Sequence, residues 1–184
     1  MNYAEIKYCD IANGPGVRTS LFVSGCTHHC PDCFNSIAWD FEYGEPFTED
    51  VCKAIYKSCE PDYIAGLTVL GGEPFEPENQ GSLLPFIRDY KVLFPNKSIW
   101  MFSGYTYEQL TGAEKSRCRT SITDELLSLA DVLVDGQFEI EKKDIRLRFR
   151  GSSNQRLIDL NKTRETGNIV LWTDDPVFST HTMD

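Results

Sequence analysis

Residues 17–33 read Val-Arg-Thr-Ser-Leu-Phe-Val-Ser-Gly-Cys-Thr-His-His-Cys-Pro-Asp-Cys. The first seven are rich in β-branched and aromatic side chains and predict a strand. Just before them, Asn13-Gly14-Pro15-Gly16 is a turn by composition. Just after them, Cys26, Cys30 and Cys33 fall within eight residues. A strand that runs straight into a cysteine-dense loop puts ligand chemistry at a carboxyl end of a sheet, where open α/β sheets gather their sites.

The rest of the chain supplies the alternation that such a sheet needs. Thr48 is placed as an N-cap, with Glu49 and Asp50 in the first turn and an amphipathic helix running to about Cys59. Residues 66–70 form a short apolar strand stopped by Gly71-Gly72. Leu83, Leu84, Ile87, Tyr90 and Phe94 recur at helical spacing over residues 77–94, with Pro85 near the start of that helix or kinking it. Residues 98–102 make a third strand and 131–134 a fourth, ended by Asp135-Gly136. Residues 107–110 and 123–130 are helical stretches, and the charged residues 113–120 between them read as a surface excursion. Residues 156–160 and 169–172 read as two further strands or hairpin arms. The domain therefore spans 1–172, followed by a loose tail, 173–184. Strands alternating with helices imply a parallel sheet of βαβ units. The cysteine loop, Gly71-Gly72, Ser103-Gly104 and Asp135-Gly136 each follow a strand, so they are expected to converge at one mouth.

A length of 184 residues suits one domain that buries its core without disulfides. The formal net charge of -10 opposes a nucleic-acid partner, which needs a basic surface, and an anionic membrane surface. Residues 1–8 hold no cationic segment followed by an apolar run, and no apolar run reaches membrane-spanning length. A cytoplasmic protein is expected. In that reducing setting the seven cysteines are thiols, and clustered thiols are metal ligands more often than disulfides.

Three thiolates at this spacing suit an iron–sulfur cluster, and three ligands on a four-iron cube leave one iron open. Cys9, Cys52, Cys59 and Cys118 remain available as a fourth ligand. Structural zinc with His28 or His29 is the other reading, although zinc sites usually show two separated pairs and no second pair occurs. Cys52 and Cys59 lie seven apart on one helix face, which suits core packing. His28 and His29 read as exposed loop residues and Arg18 as a surface strand residue. Trp100, Phe102 and Tyr105 suit core and pocket wall better than a stacking platform for nucleic acid.

The Cys-x3-Cys-x2-Cys loop, followed by Gly71-Gly72-Glu73-Pro74 after a later strand, resembles the radical S-adenosylmethionine superfamily. Asn13-Gly14-Pro15-Gly16-Val17-Arg18 and Phe34-Asn35 are similar to the glycyl-radical enzyme activases. Ile99-Trp100-Met101-Phe102-Ser103-Gly104-Tyr105, Val132-Leu133-Val134-Asp135-Gly136-Gln137-Phe138 and Arg150-Gly151-Ser152-Ser153-Asn154-Gln155 resemble the activating enzymes of anaerobic ribonucleoside-triphosphate reductase. Asp32 stands where many superfamily members carry an aromatic, which favours this subfamily.

The resemblance implies a small, incomplete, open β/α barrel of parallel strands. It implies a 4Fe-4S cluster on Cys26, Cys30 and Cys33, and S-adenosyl-L-methionine held by Asp32, Cys33, Phe34, Gly71, Gly72, Glu73 and Pro74. No catalytic residue beyond the cluster ligands is implied. The implied activity is reductive cleavage of S-adenosylmethionine, with an electron from a reduced flavodoxin-like donor, to place a glycyl radical on the large subunit of the class III reductase. A pyruvate formate-lyase-type activase, another small radical enzyme, or a zinc module without catalysis are the alternatives. Residues 113–120 and those after Asp159 resemble the family less and carry no implied role. A side chain at Gly72 is expected to intrude on S-adenosylmethionine while leaving the cluster in place.

Overall fold

In the computed structural model, which describes residues 1–174, the strand before the cysteines is the second of seven. The strands are β1 (Asn2–Asp10), β2 (Val17–Val23), β3 (Glu45–Pro46), β4 (Ile64–Gly71), β5 (Ser98–Phe102), β6 (Val132–Asp135) and β7 (Arg156–Asp159). The helices are α1 (Glu49–Cys59), α2 (Pro77–Leu93), α3 (Tyr107–Thr111), α4 (Thr123–Leu129) and α5 (Leu160–Thr166). The strands form one open sheet in the order β3-β1-β2-β4-β5-β6-β7.

The expectation of an all-parallel sheet needs correction. β2, β4, β5 and β6 are parallel, but β1 and β3 on one side and β7 on the other run antiparallel. β1 escaped the sequence reading because most of it is half-buried or exposed and two register shifts interrupt its pairing, so no clean alternation marks it. The glycine turn at 13–16 therefore joins a hairpin rather than opening the fold.

Side-chain alternation along the strands sorts two layers. Leu21, Val23, Leu67, Val69, Ile99, Met101, Leu133 and Ile158 join Ile55 of α1, Leu83 and Ile87 of α2, Leu126 of α4 and Leu160 of α5 in the main core. Cys59 lies in that core and Cys52 packs against it, as their shared helix face predicted. The opposite face of the sheet carries Trp100, Val132, Val134 and Leu157, covered by Phe149 and Trp172. Among the described residues no helix is long and apolar enough to cross a membrane.

Local signals account for the helix ends. Thr48 caps α1 by accepting from Val51 N–H, and Thr106 with Gln109 forms a capping box on α3, which Gly112 ends in the left-handed region. α2 runs unbroken through Pro85. That proline sits on the exposed face, and Gly81, four residues earlier, has open space around it. α5 was missed although Asp159 caps it and Gly167 stops it; only Leu160 and Thr163 are buried, too few for a periodicity. Residues 169–172 lie against β7 through one bridge, Ile158 with Leu171, rather than as a full strand. The expected tail lies, beyond Asp174, outside the described residues.

Arg18 is not on the surface. It is fully buried, pushed down to about 10 by burial, and its guanidinium donates to Thr68 Oγ1 (2.8 Å), Ser98 Oγ (3.0 Å), Leu67 O (2.8 Å), Ser98 O (2.9 Å) and Pro15 O (3.4 Å). Five neutral acceptors satisfy the fork, which is what makes a buried cation tolerable. It shapes the 13–16 turn from within.

A second buried charge ties β6 to β7. The Asp135 side chain, 1% exposed, accepts from Arg156 Nε (2.9 Å) and Tyr107 N–H (2.7 Å), while Arg156 also grips Glu108 at 3.0 and 2.7 Å. Arg156→Met strands the Asp135 carboxylate, and a loss of about 3 kcal/mol is expected, the low end for breaking a buried pair because Arg156 and Glu108 are partly solvated. The Arg156 hydrogen bond holds Glu108 below the ordinary glutamate value of 4.5. A carboxyl depressed on folding stabilises the protein above its unfolded pKa, and that contribution fades as pH falls through the folded value. Thermal unfolding across the acid range should show this decline in the unaltered protein and a flatter profile in Arg156→Met.

Candidate metal centre

The carboxyl ends of β2, β4, β5 and β6 meet around a cavity of about 110 Å³. Cys26, Cys30 and Cys33 line it from the β2 loop, Gly71 to Glu73 from β4, Ser103 and Gly104 from β5, and Gly136 from β6. The convergence expected from the sequence is present.

The loop that carries the thiols is held by backbone geometry. Gly25 N–H and Cys26 N–H donate to Ala38 O (2.8 Å) and Trp39 O (3.1 Å) of a one-turn helix, Ser36–Trp39. Gly25, His29 and Asp32 take positive φ, at 93°, 47° and 60°, so the chain coils tightly between the cysteines. At Gly25 a Cβ would stand 2.2 Å from the Phe41 ring, so only glycine fits there. Cys26 and Cys30 are buried and Cys33 half-buried. Burial, reinforced by the Glu73 charge, pushes the Cys26 thiol up to about 12, partly offset by the backbone N–H groups of His28 and His29. Metal loading must displace such a proton.

Glu73 is the hub beneath this loop. Its carboxylate, 1% exposed, accepts from Phe75 N–H (2.9 Å), Ser103 Oγ (2.9 Å), Gly104 N–H (2.7 Å) and His28 Nε2 (3.2 Å). One side chain thus ties the β2, β4 and β5 loops together. His28 is consequently not the exposed residue expected. It is half-buried between Glu73 and Tyr105, its ring centroid 4.3 Å from that of Tyr105. Burial lowers the His28 pKa, but its hydrogen bond to Glu73 and the Glu73 and Glu76 charges outweigh that and raise it. His29 is exposed, as expected, and stacks on Trp39 at 4.6 Å.

This arrangement does not close on a single ion. Among the described residues no three His, Cys, Asp or Glu side chains gather as the ligands of one metal ion. The two imidazoles are engaged with Glu73 and Trp39 rather than completing a tetrahedron with the thiols. Cys9 is exposed on β1, Cys52 and Cys59 belong to α1, and Cys118 is buried in the main core, so none of the other four lines the cavity. Three soft donors on one wall, facing glycines that present only backbone, suit a cluster with one iron left open.

The sequence pattern of the 4Fe-4S single cluster domain matches residues 12–158. The chain is 41% identical over 157 residues to the anaerobic ribonucleoside-triphosphate reductase-activating protein of Pasteurella multocida (strain Pm70), covering 84% of this chain and 95% of that one. It is 38% identical over 157 residues to the proteins of the same name from Enterobacteria phage T4 and Escherichia coli (strain K12), covering 85% and 84% of this chain and 93% and 96% of theirs. The chain belongs to this family of reductase-activating proteins.

In this member of the family a second cavity, of about 540 Å³, adjoins the first at Cys33. Asp32, Cys33 and Phe34 line it beside Leu70, Phe102, Phe138 and Phe149. Of the expected S-adenosylmethionine residues, Cys33 and Phe34 border both cavities, Asp32 the larger, and Gly71, Gly72 and Glu73 the smaller. Pro74 is buried and borders neither. A Cβ on Gly72 would meet Gly25 O at 2.5 Å and Ala38 O at 2.9 Å. A side chain there would push the cysteine loop itself, so Gly72→Val is expected to disturb that loop and not S-adenosylmethionine alone.

Residues 150–155 turn out to be wall as well as turn. Gln155 Oε1 accepts from Gly151 N–H (2.9 Å) and its Nε2 donates to Gly136 O (2.9 Å), while Gln137 Nε2 donates to His28 O (3.2 Å). The sequence did not single out His28, Thr27, Glu76 or Arg117 as parts of the family's site. Glu76, three residues after Glu73, is fully buried, and its Oε1 accepts from Thr27 N–H (2.7 Å) and Thr27 Oγ1 (2.6 Å). A fully buried acid beside a glycine motif signals such a role only once burial is known.

Proposed function

We propose that this chain activates anaerobic ribonucleoside-triphosphate reductase by installing a glycyl radical on its large subunit. The observation that carries the proposal is the three-thiol wall of the 110 Å³ cavity, which Cys33 and Phe34 share with a neighbouring 540 Å³ cavity, in a chain 41% identical over 157 residues to a named activating protein. Cys26, Cys30 and Cys33 hold the 4Fe-4S cluster in this reading. Asp32, Cys33, Phe34, Gly71, Gly72 and Glu73 form the surroundings of S-adenosyl-L-methionine, and Pro74, which borders neither cavity, drops out of them. Bound together, the two groups supply one-electron reductive cleavage and a hydrogen-abstracting carbon radical; the protein supplies binding, orientation and protection.

Each part of the chain has a share in that. Gly71, at φ 111°, and Gly72 let the β4 end pack against Val23 and Gly25, where a Cβ would stand 2.6 and 2.5 Å from their backbone, and so bring the glycine backbone to the cavity. The Glu73 carboxylate is saturated by protein donors, so its contribution is to fix the glycine backbone rather than to reach into the cavity with its side chain. Leu70, Phe102 and Phe138 give the cavity apolar walls that exclude water from a reactive radical. The open sheet, read as an incomplete β/α barrel spanning residues 1–172, leaves the strand ends accessible to a glycine-bearing segment of the partner. A reduced flavodoxin-like protein is the electron donor in this reading, and the setting is cytoplasmic.

The test is to mix the reconstituted protein, S-adenosylmethionine and a reductant with the reductase of its own genome without oxygen, and to record the paramagnetic resonance spectrum. A doublet on the reductase that collapses when glycine is deuterated at the α-carbon is expected. Cofactor cleavage with no radical on the reductase, but one on a formate-lyase partner, would refute the choice of partner.

A further inference from the structure

Residues 113–120 form a charged excursion that reaches the cysteine loop through Arg117. The excursion leaves α3 at Gly112 and is pinned twice. The Cys118 carbonyl accepts from Gln80 Nε2 (2.7 Å) and Thr123 Oγ1 (3.1 Å), and Arg119 donates to Leu110 O (2.7 Å) and to both oxygens of Asp124 (2.5 and 2.9 Å). Between these anchors and α3, Arg117 reaches back to the cluster loop. Its Nη1 bonds Glu76 Oε2 and donates to Thr27 Oγ1 (3.1 Å), while Nη2 donates to Glu78 Oε1 (3.1 Å).

Glu76 needs this partner. Its side chain has no exposure, and Arg117 is the cation bonded to it among the described residues. An unpaired carboxylate at such a site is strongly disfavoured. The same carboxylate holds Thr27 by both backbone and hydroxyl, and Thr27 follows Cys26 directly. A continuous path therefore runs from Arg117 through Glu76 and Thr27 to the first thiol.

We propose that Arg117 is a positioning residue for the cluster, acting through Glu76 on Thr27 and balancing a buried negative charge beside Cys26. The proposal rests on the cluster reading above and assigns residues 113–120 the role of a strap over the cysteine loop. Two consequences are separable. Loss of the cation loosens the loop, so iron leaves faster. It also leaves an uncompensated carboxylate near the cluster, which opposes the arrival of an electron and lowers the midpoint potential.

The experiment compares anaerobically reconstituted protein with Arg117→Met, Arg117→Lys and the double variant Arg117→Met/Glu76→Gln. Iron release to a chelator and the midpoint potential of the cluster are read for each. Arg117→Met is expected to release iron roughly tenfold faster, the low end for losing an outer partner of a metal site, because Arg117 is 43% exposed. Its potential should fall. Arg117→Lys, which keeps the charge, should restore most of both properties. The double variant removes the stranded charge while the glutamine oxygen still accepts from Thr27, so its potential should return to that of the unaltered protein. An unchanged release rate and potential in Arg117→Met overturn the proposal, as does a double variant whose potential stays as low as that of Arg117→Met. If the unaltered protein takes up zinc rather than iron and sulfide, the cluster reading fails and this proposal with it; if it loads a cluster, only the proposal is at stake.

Discussion

Changing Cys26, Cys30 or Cys33 singly to alanine is expected to reduce S-adenosylmethionine cleavage below detection. All three line the same cavity, and no other cysteine does. A cube that loses one of three thiolates loses a third of its protein attachment, and no buried thiol stands near enough to replace it. The comparison variants follow from burial. Cys9 is exposed and Cys52 half-buried, so serine is tolerated at both. Cys59 and Cys118 are fully buried in the main core, where a polar hydroxyl is less welcome than a thiol, so alanine is the suitable change there. Iron and sulfide content after anoxic reconstitution, together with release of methionine, give the readout. Cluster loss in one of these four, alongside an active cluster in Cys33→Ala, would falsify the ligand set.

Glu73→Ala is expected to destabilise the protein even before any metal is bound. Its carboxylate is buried and receives four donors from three loops: Phe75, His28, Ser103 and Gly104. Removing it strands the fully buried Phe75 N–H and takes the acceptor from Gly104 N–H at the cavity wall. The cost belongs to the class of broken buried networks, about 3–5 kcal/mol, and for a chain of this size corresponds to a fall in melting temperature of roughly 10 °C. Glu73→Gln should recover only part of this. An amide has one oxygen and one NH₂, and that NH₂ cannot accept from Gly104 N–H. Thermal unfolding of the metal-free variants measures it. A melting temperature equal to that of the unaltered protein, with weakened S-adenosylmethionine binding alone, would show that the carboxylate serves the ligand and not the loops.

In the resemblance, Glu73 is one of the residues that hold S-adenosylmethionine. In the structure its oxygens are fully engaged, and the groups left facing the cavity are the backbone of the two glycines. His28 follows the same pattern. Between two cysteines it looks like a spare ligand or a solvent-exposed ring, yet its Nε2 is directed to Glu73, 45 positions away in the chain.

The parts legible in the sequence were those whose cause is local. The β2 composition, the Thr48 cap, the glycine stops after β4 and β6 and the helical spacing of α2 depend on neighbours a few residues apart, and each stands where expected. The Cys26, Cys30 and Cys33 spacing likewise marked three candidate donors, which line one cavity, because softness and number are properties of the residues themselves. α5 was missed for the same reason in reverse: its cap and stop are local, but two buried residues cannot make a period.

Tertiary structure alone decided the rest. That β1 and β7 run antiparallel depends on which edges remained to be paired, not on their composition. That Arg18 is buried depends on Thr68 and Ser98, 50 and 80 residues away, offering enough oxygens to hold a guanidinium out of water. That Arg117 meets Thr27 of the cysteine loop depends on its pairing with Glu76 across 41 positions. Charge, hydrogen-bonding capacity and conformational preference are carried by single residues and can be read in order along the chain. Desolvation is not: whether a charge is buried, and what then compensates it, is settled only when distant segments pack together.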